Sequence, residues 1–317
     1  MRVLQAAGEW KATERKVCAA IGVFDGVHLG HQQVIRQALA DAAHHEGLAL
    51  VITFDRHPSA VVAPAHVPLL IHSLPQKLRA LAALGADAVW VVRFDEAFSR
   101  QTGEQFVRGL ARDFARLHSV CVGSTFSFGY KRSGTVGLLR ALGEELHFAV
   151  HGLAEVSLDG QVVSSTRIRE AIRAGQFDAA SQMLGRGYAL AGEVVPGDQL
   201  GRKLGFPTAN LDARGIVLPP NGVYAAQVEA PGRDQPGGQP RRWRAVVNLG
   251  LRPTVSQPAP ALRLEAHLLD FDGDLYGQEL EVAIVGKLRD EQAFASVGLL
   301  QAQIRLDIEQ ARRLFAG

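Results

Sequence analysis

The apolar pattern of this chain changes character at residue 185, and that change limits what the chain can fold into. Before it, apolar runs of strand length alternate with stretches of helical period. Strands are predicted at Val17–Ile21, Leu48–Phe54, Ala88–Val92, Val120–Gly123 and Leu146–Val150, and amphipathic helices at Gln33–His44, Pro75–Leu84 and Gly103–Leu117. Parallel strands need crossover connections, so this alternation predicts an α/β unit with a Rossmann-like, doubly wound parallel sheet whose ligands bind beyond the C-terminal strand ends. After residue 185 the pattern becomes short strands and turns: Ala189–Val195, Gly222–Glu229, Arg244–Asn248, Leu262–Leu269 and Glu279–Gly286. Only Ser296–Phe315 is helical there, with Leu299, Leu300, Ile304, Ile308 and Leu314 near one face. The second half therefore predicts an antiparallel β-barrel closed by a C-terminal helix, with residues 232–240 as a hairpin loop. The expected domains are residues 1–186 and 187–317.

With 317 residues, each half is long enough to bury its own core. A formal net charge of only +2 and the lack of a basic run argue against a nucleic-acid partner. No apolar stretch reaches membrane-spanning length, and residues 1–16 lack the apolar centre of a signal peptide. Cys18 and Cys121 lie in apolar strand-like runs without paired spacing, as buried thiols of a reducing compartment do, so a cytoplasmic location is expected.

The most informative segment is Gly22-Val23-Phe24-Asp25-Gly26-Val27-His28-Leu29-Gly30-His31, between the first strand and a helical pattern beginning near Leu29. Its glycines admit a ligand close to the backbone. The i, i+3 histidines fall at the first turn of a helix, beside unpaired N–H groups and the positive end of the dipole. A polyphosphate is the expected ligand. Thr53-Phe54-Asp55-Arg56-His57-Pro58 and Gly123-Ser124-Thr125-Phe126-Ser127-Phe128-Gly129 follow the second and fourth strands in the same way, so three loops would line one crevice. Ser164-Ser165-Thr166-Arg167-Ile168-Arg169 is a hydroxyl-rich helix entry with two guanidinium groups suited to triphosphate oxygens. The chain has no HExxH, CxxC, GxxxxGK[ST] or GxGxxG pattern.

The decapeptide resembles the HxGH signature of nucleotidyltransferases, enzymes in which a nucleophile attacks the α-phosphate of a nucleoside triphosphate and pyrophosphate leaves. Histidine donors suit charge growing on phosphoryl oxygens.

In the second half, Gly201-Arg202-Lys203-Leu204-Gly205-Phe206-Pro207-Thr208-Ala209-Asn210 offers open backbone beside a hydroxyl and an amide oxygen, hard donors suited to Mg²⁺. This segment resembles the GxxLGFPTAN signature of riboflavin kinases. Asn248–Thr254, Glu265–Phe271, Leu275-Tyr276-Gly277 and Arg289-Asp290-Glu291 with Phe294 follow in that family's order.

Together the halves resemble prokaryotic bifunctional riboflavin kinase/FAD synthetases. The resemblance implies ATP-dependent phosphorylation of riboflavin to FMN in the barrel, then adenylylation of FMN to FAD in the α/β half, with Mg²⁺. Carried onto this sequence, it makes His28, His31 and Arg169 catalytic contacts to the triphosphate, with Gly22, Phe24, Asp25, Gly26, Gly30, Ser165 and Thr166 around the ATP. Thr125, Phe126 and Phe128 would flank the flavin of the first half, and Arg289, Asp290 and Glu291 that of the barrel. The kinase nucleotide would meet Gly201, Lys203, Gly205, Thr208, Asn210 and Asn248, with Mg²⁺ on Thr208 and Asn210 and Glu265 as catalytic base. The family usually has Asn or Asp where this chain has Thr125. Two other readings stand beside this one: an adenylyltransferase acting on another phosphorylated metabolite, and a flavin-sensing barrel without turnover.

Overall fold

The computed structural model describes residues 1–9, 15–230, 241–252 and 261–316. The predicted loop at 232–240 and the motif residues Pro253 and Thr254 lie outside them. The chain divides into two compact units, one of residues 1–168 and 183–185, the other of residues 169–182 and 186–317.

The first unit is built on six parallel strands, β1 (Arg2–Leu4), β2 (Val17–Ile21), β3 (Leu48–Phe54), β4 (Ala88–Val92), β5 (Leu117–Gly123) and β6 (Ala149–Leu153), in the order β1-β4-β3-β2-β5-β6. All five residues of β2 are buried, the near-continuous apolar reading expected of a strand covered on both faces. The order reverses at β2, which has β3 on one side and β5 on the other, and ligands of such sheets bind at this switch point.

Crossovers are provided by α1 (Leu29–His44), α2 (Leu74–Ala83), α3 (Gly103–Asp113) and α4 (Val136–Leu146). Helix α3 opens with a capping box between Thr102 and Gln105 and ends four residues short of the predicted Leu117, which begins β5 instead. The predicted strand at 146–150 is displaced for a similar reason. Leu146 closes α4, which the sequence reading did not anticipate, and left-handed His147 ends that helix before β6 starts at Ala149. Helices α5 (Ser165–Arg173) and α6 (Phe177–Leu184) follow, α6 also unanticipated.

The second unit is a closed barrel of β7 (Ala189–Val195), β8 (Ala209–Asp212), β9 (Gly222–Ala230), β10 (Arg241–Arg252), β11 (Ala261–Leu268) and β12 (Glu279–Arg289), in the order β7-β8-β11-β10-β9-β12, all pairs antiparallel. Closure leaves no sheet edge unpaired. Strand β8 is absent from the predicted strands; it is only four residues long and follows Pro207. Helix α7 (Val297–Leu314), capped by Ser296, packs Ile308, Ala311 and Phe315 on the barrel core beside Val223, Ala225 and Val246. The apolar face extends to Leu300 and Ile304, which line a cavity, whereas Leu299 and Leu314 are exposed, contrary to expectation.

Candidate active sites

In the first unit the segment 22–28 crosses from β2 to α1 in a tight turn. Phe24 and Val27 take positive φ angles of 51° and 42°, and Gly26 one of 82°. Non-glycine residues there carry backbone strain that only surrounding contacts can hold. Asp25 supplies such contacts: its buried carboxylate accepts from the Ile71 N–H at 2.9 Å and the His72 N–H at 3.3 Å. Its carbonyl accepts the Ser165 hydroxyl at 2.9 Å. The Phe24 ring is buried in the core beside Ala20 and Val34 and anchors the turn.

His28 is the N-cap of α1. Its Nδ1 accepts from the His31 N–H at 3.4 Å, so Nε2 is the ring nitrogen that donates. The His28 and His31 rings stack with centroids 3.6 Å apart, and the edge of Phe24 meets His31 at 5.3 Å. A Cβ on Gly30 would sit 3.2 Å from His28 Cε1, so glycine here leaves room for the imidazole. Burial first, then the His28 and Lys77 charges, holds the His31 imidazole well below its ordinary pKa. A neutral His31 imidazole therefore stands against the His28 ring over a helix N-terminus, a geometry that can donate hydrogen bonds to phosphoryl oxygens.

Beyond β5, Phe126 and Phe128 stack at 5.2 Å, and Phe128 continues edge to face through Phe106 and Phe98 to Phe54. Both are half-buried against the core, and Thr125 is exposed beside them. Ser165 is spent on Asp25, Thr166 is exposed, and Arg169 is buried in the second unit.

In the barrel, register assembles a row of polar side chains. Asn210 on β8 lies opposite Glu265 on β11, and Glu265 lies opposite Asn248 on β10. Residues opposite one another in antiparallel strands point to the same face, so three strands present an amide, a carboxylate and an amide side by side. They line a cavity of about 420 Å³ together with Thr208, His267, Arg289, Glu291 and Phe294. A second cavity, of about 200 Å³, shares Thr208 and Asn210 and extends to Arg202, Phe271 and Tyr276. Thr208 and Asn210 thus form the wall between two chambers.

Glycines open that wall: a Cβ on Gly201 would approach Thr208 Oγ1 to 3.1 Å, and one on Gly197 would approach Asn210 Oδ1 to 2.8 Å. The cradle suits a magnesium ion, which takes few protein oxygens and completes its shell with phosphate and water. Among the described residues no group of three His, Cys, Asp or Glu is arranged to hold a metal, so phosphate oxygens would have to finish the shell.

Two family models match the chain, FAD synthetase over residues 10–167 and riboflavin kinase over residues 184–315. The bifunctional riboflavin kinase/FMN adenylyltransferase of Escherichia coli (strain K12) is 38% identical over 306 residues, 96% of this chain and 95% of that protein. This chain belongs to the bifunctional riboflavin kinase/FMN adenylyltransferase family. A relative of the same description from Pseudomonas fluorescens is 35% identical over 316 residues, covering 100% of this chain and 98% of its own. A solved structure described as a macrolide-efflux protein from Streptococcus pneumoniae superposes with a TM-score of 0.80 at 28% identity, covering 98% of this chain and 99% of that one. Among the described residues no helix is long and apolar enough to cross a membrane.

Membership makes the chain an ATP-using transferase with an FAD synthetase module and a riboflavin kinase module. Not every residue carried over from the riboflavin kinase/FMN adenylyltransferase pattern comes to the cavities. Lys203 is exposed and lines neither, whereas Arg202 lines the smaller one, and Gly205 turns the chain at φ 85°. Asp290 pairs with Lys287 at 2.6 Å, and its side chain is 88% exposed. Sequence reasoning also missed residues. Asp307 on α7 grips Arg289 beneath the large cavity, and His267 joins its Nδ1 to the Pro207 carbonyl at 2.8 Å, beside the PTAN segment. Lys77 lies under the first loop. His267 lies in the Glu265–Phe271 segment, two residues from Glu265 on the same strand face, but the sequence alone assigns it no role.

Proposed function

We propose that the two reactions are divided between the two units, with riboflavin phosphorylated in the barrel and FMN adenylylated at the His28 turn. The observation that carries the kinase reading is the row Asn210, Glu265, Asn248 lining the larger chamber, with Asn210 also lining the smaller. The smaller chamber takes the nucleotide, with Thr208 and Asn210 beside its phosphates and Mg²⁺. The larger, with Arg289 stacked at 5.6 Å over Phe294, takes the flavin. Glu265 then lies where a ribityl hydroxyl meets the γ-phosphate. It accepts the hydroxyl proton as the new oxygen–phosphorus bond forms and ADP leaves, a role worth about 10²–10⁴-fold.

At the His28 turn an FMN phosphate oxygen attacks the α-phosphorus of ATP and pyrophosphate departs, so no base is needed. His28 and His31 donate to the oxygens on which charge grows, and Gly22, Gly26 and Gly30 leave the backbone open beside them. Phe126 and Phe128 are the proposed flavin-stacking pair. An Mg²⁺ supplied with ATP offsets phosphate charge in both reactions.

The full chain incubated with riboflavin, ATP and Mg²⁺ should yield FMN and then FAD on chromatography. Absence of FMN would favour a flavin-binding barrel without turnover. FMN without FAD would point the His28 turn at a different phosphorylated substrate.

A further inference from the structure

Among the described residues Lys77 is the only buried lysine, and it lies beneath the His28 turn. It sits on the first turns of α2, a helix capped by Ser73, whose Oγ accepts from the Gln76 N–H. The Lys77 ammonium has three acceptors: the Phe54 carbonyl at 2.9 Å, Thr53 Oγ1 at 3.1 Å and the Val23 carbonyl at 3.3 Å. Thr53 passes the connection on, its hydroxyl donating to the same Val23 carbonyl at 3.0 Å. Val23 opens the turn that carries His28 and His31, and Phe54 ends β3 at the start of the next loop. One ammonium therefore joins the two loops flanking the switch point, and an ammonium has three donors to give.

Lys77 is set within charges that are themselves anchored. Asp25 and Asp55 both draw on it electrostatically. The first is held by the Ile71 and His72 N–H groups, the second by the Phe94 N–H at 2.9 Å and the Arg56 guanidinium. The Lys77 charge in turn helps disfavour the His31 imidazole as a cation.

We propose that Lys77 is a positioning residue for adenylyl transfer, its ammonium clamping the Val23 and Phe54 carbonyls so that His28 and His31 are held in register with the loop after β3. The inference rests on the reading of the His28 turn as the adenylyl-transfer site. Its charge has a second effect, because a cation beneath His31 favours the neutral imidazole that donates to phosphate. Burial lowers the Lys77 pKa to about 8, against the pull of Asp25 and Asp55. As pH rises through that value the clamp loses its proton, and with it one donor and the charge.

The test uses the full chain, with riboflavin phosphorylation as the internal control. K77M should lower kcat for FAD formation from supplied FMN by tenfold or more, with KM for FMN changed less than threefold and FMN formation unaltered. In the same variant His31, assigned by histidine NMR against H31Q, should titrate at higher pH than in wild type. The wild-type rate of FAD formation should fall above about pH 8 while the kinase rate does not, and K77R, which keeps its charge, should move that fall upward. A K77M chain with adenylylation within twofold of wild type and an unmoved His31 titration overturns the proposal. If K77M does not fold, a wild-type FAD profile without the alkaline fall overturns it alone. A wild-type chain that makes no FAD from FMN defeats the underlying site reading instead, which separates the two failures.

Discussion

The Arg289 guanidinium and the Asp307 carboxylate meet fork to fork, Nε to Oδ1 at 2.9 Å and Nη2 to Oδ2 at 2.8 Å. Asp307 is buried on α7 and also accepts from Gln303 Nε2 at 2.9 Å. The pair ties the closing helix to the end of β12 and fixes the plane of a cation in the wall of the large cavity. A planar, bidentate partner is what turns a flexible arginine into a defined surface.

Asp307→Asn should therefore raise KM for riboflavin more than it lowers kcat, because Arg289 keeps its charge and loses its orientation. Breaking a buried pair by removing one partner typically costs about 3–5 kcal/mol, so the barrel should also melt earlier. Kinase kinetics and calorimetry on the full chain check this, with FAD formation from supplied FMN as the control. Unchanged riboflavin KM would make the pair a purely structural tie.

His28→Ala or His31→Ala should lower FAD formation by roughly 10²–10³-fold, the range for losing one donor to developing transition-state charge. Riboflavin phosphorylation should persist in both. Loss of both activities together would indicate a folding defect or a misplaced site.

Glu265→Gln should invert that result. The amide preserves shape but accepts no proton at neutral pH, so FMN production should fall by about 10²–10⁴-fold while FAD production from FMN survives. Kinase turnover within a few-fold of wild type would remove Glu265 as the base.

Acid should destabilise the first unit through His31. Its folded pKa lies well below the unfolded value, chiefly through burial, so the unfolded chain binds the proton more readily. The resulting stability is present above about pH 6.5 and is lost as pH falls below it. Chemical denaturation between pH 7 and 5 should show this slope, and His31→Gln should flatten it.

A fragment of residues 169–317 should be more stable than one of residues 187–317. Phe177 on α6 stacks on Tyr188 at 6.2 Å and meets Tyr224 edge to face at 6.0 Å, and the Tyr188 N–H donates to Ser181 Oγ at 3.0 Å. Each kcal/mol lost should lower Tm by about 2–8 °C for domains of this size. Equal melting of the two fragments would show that α6 adds nothing to the barrel.

The apolar pattern places four strands to the residue: β2, β3, β4 and β7 fall on the predicted residues. Pattern is a local property. It failed where local signals conflicted, at the 146–150 strand and at β8, and where a helix such as α4 or α6 went unread. The glycine-rich turn and the PTAN segment were likewise legible, because a tight approach to backbone demands particular residues in consecutive order.

Sequence by itself determined the two element patterns, the two motif sets and the family they belong to, all of which depend on residues near one another along the chain. Tertiary structure alone decided that Asn210, Glu265 and Asn248 share one row, since strand register is set by the closed barrel and not by spacing. It alone turned Asp25 inward to backbone N–H groups, left Lys203 outside both cavities, and set Lys77 and Asp307 under the two sites. A buried charge has no sequence signature of its own. What makes it tolerable is the set of partners that folding brings to it from distant segments, and those partners exist only in the folded chain.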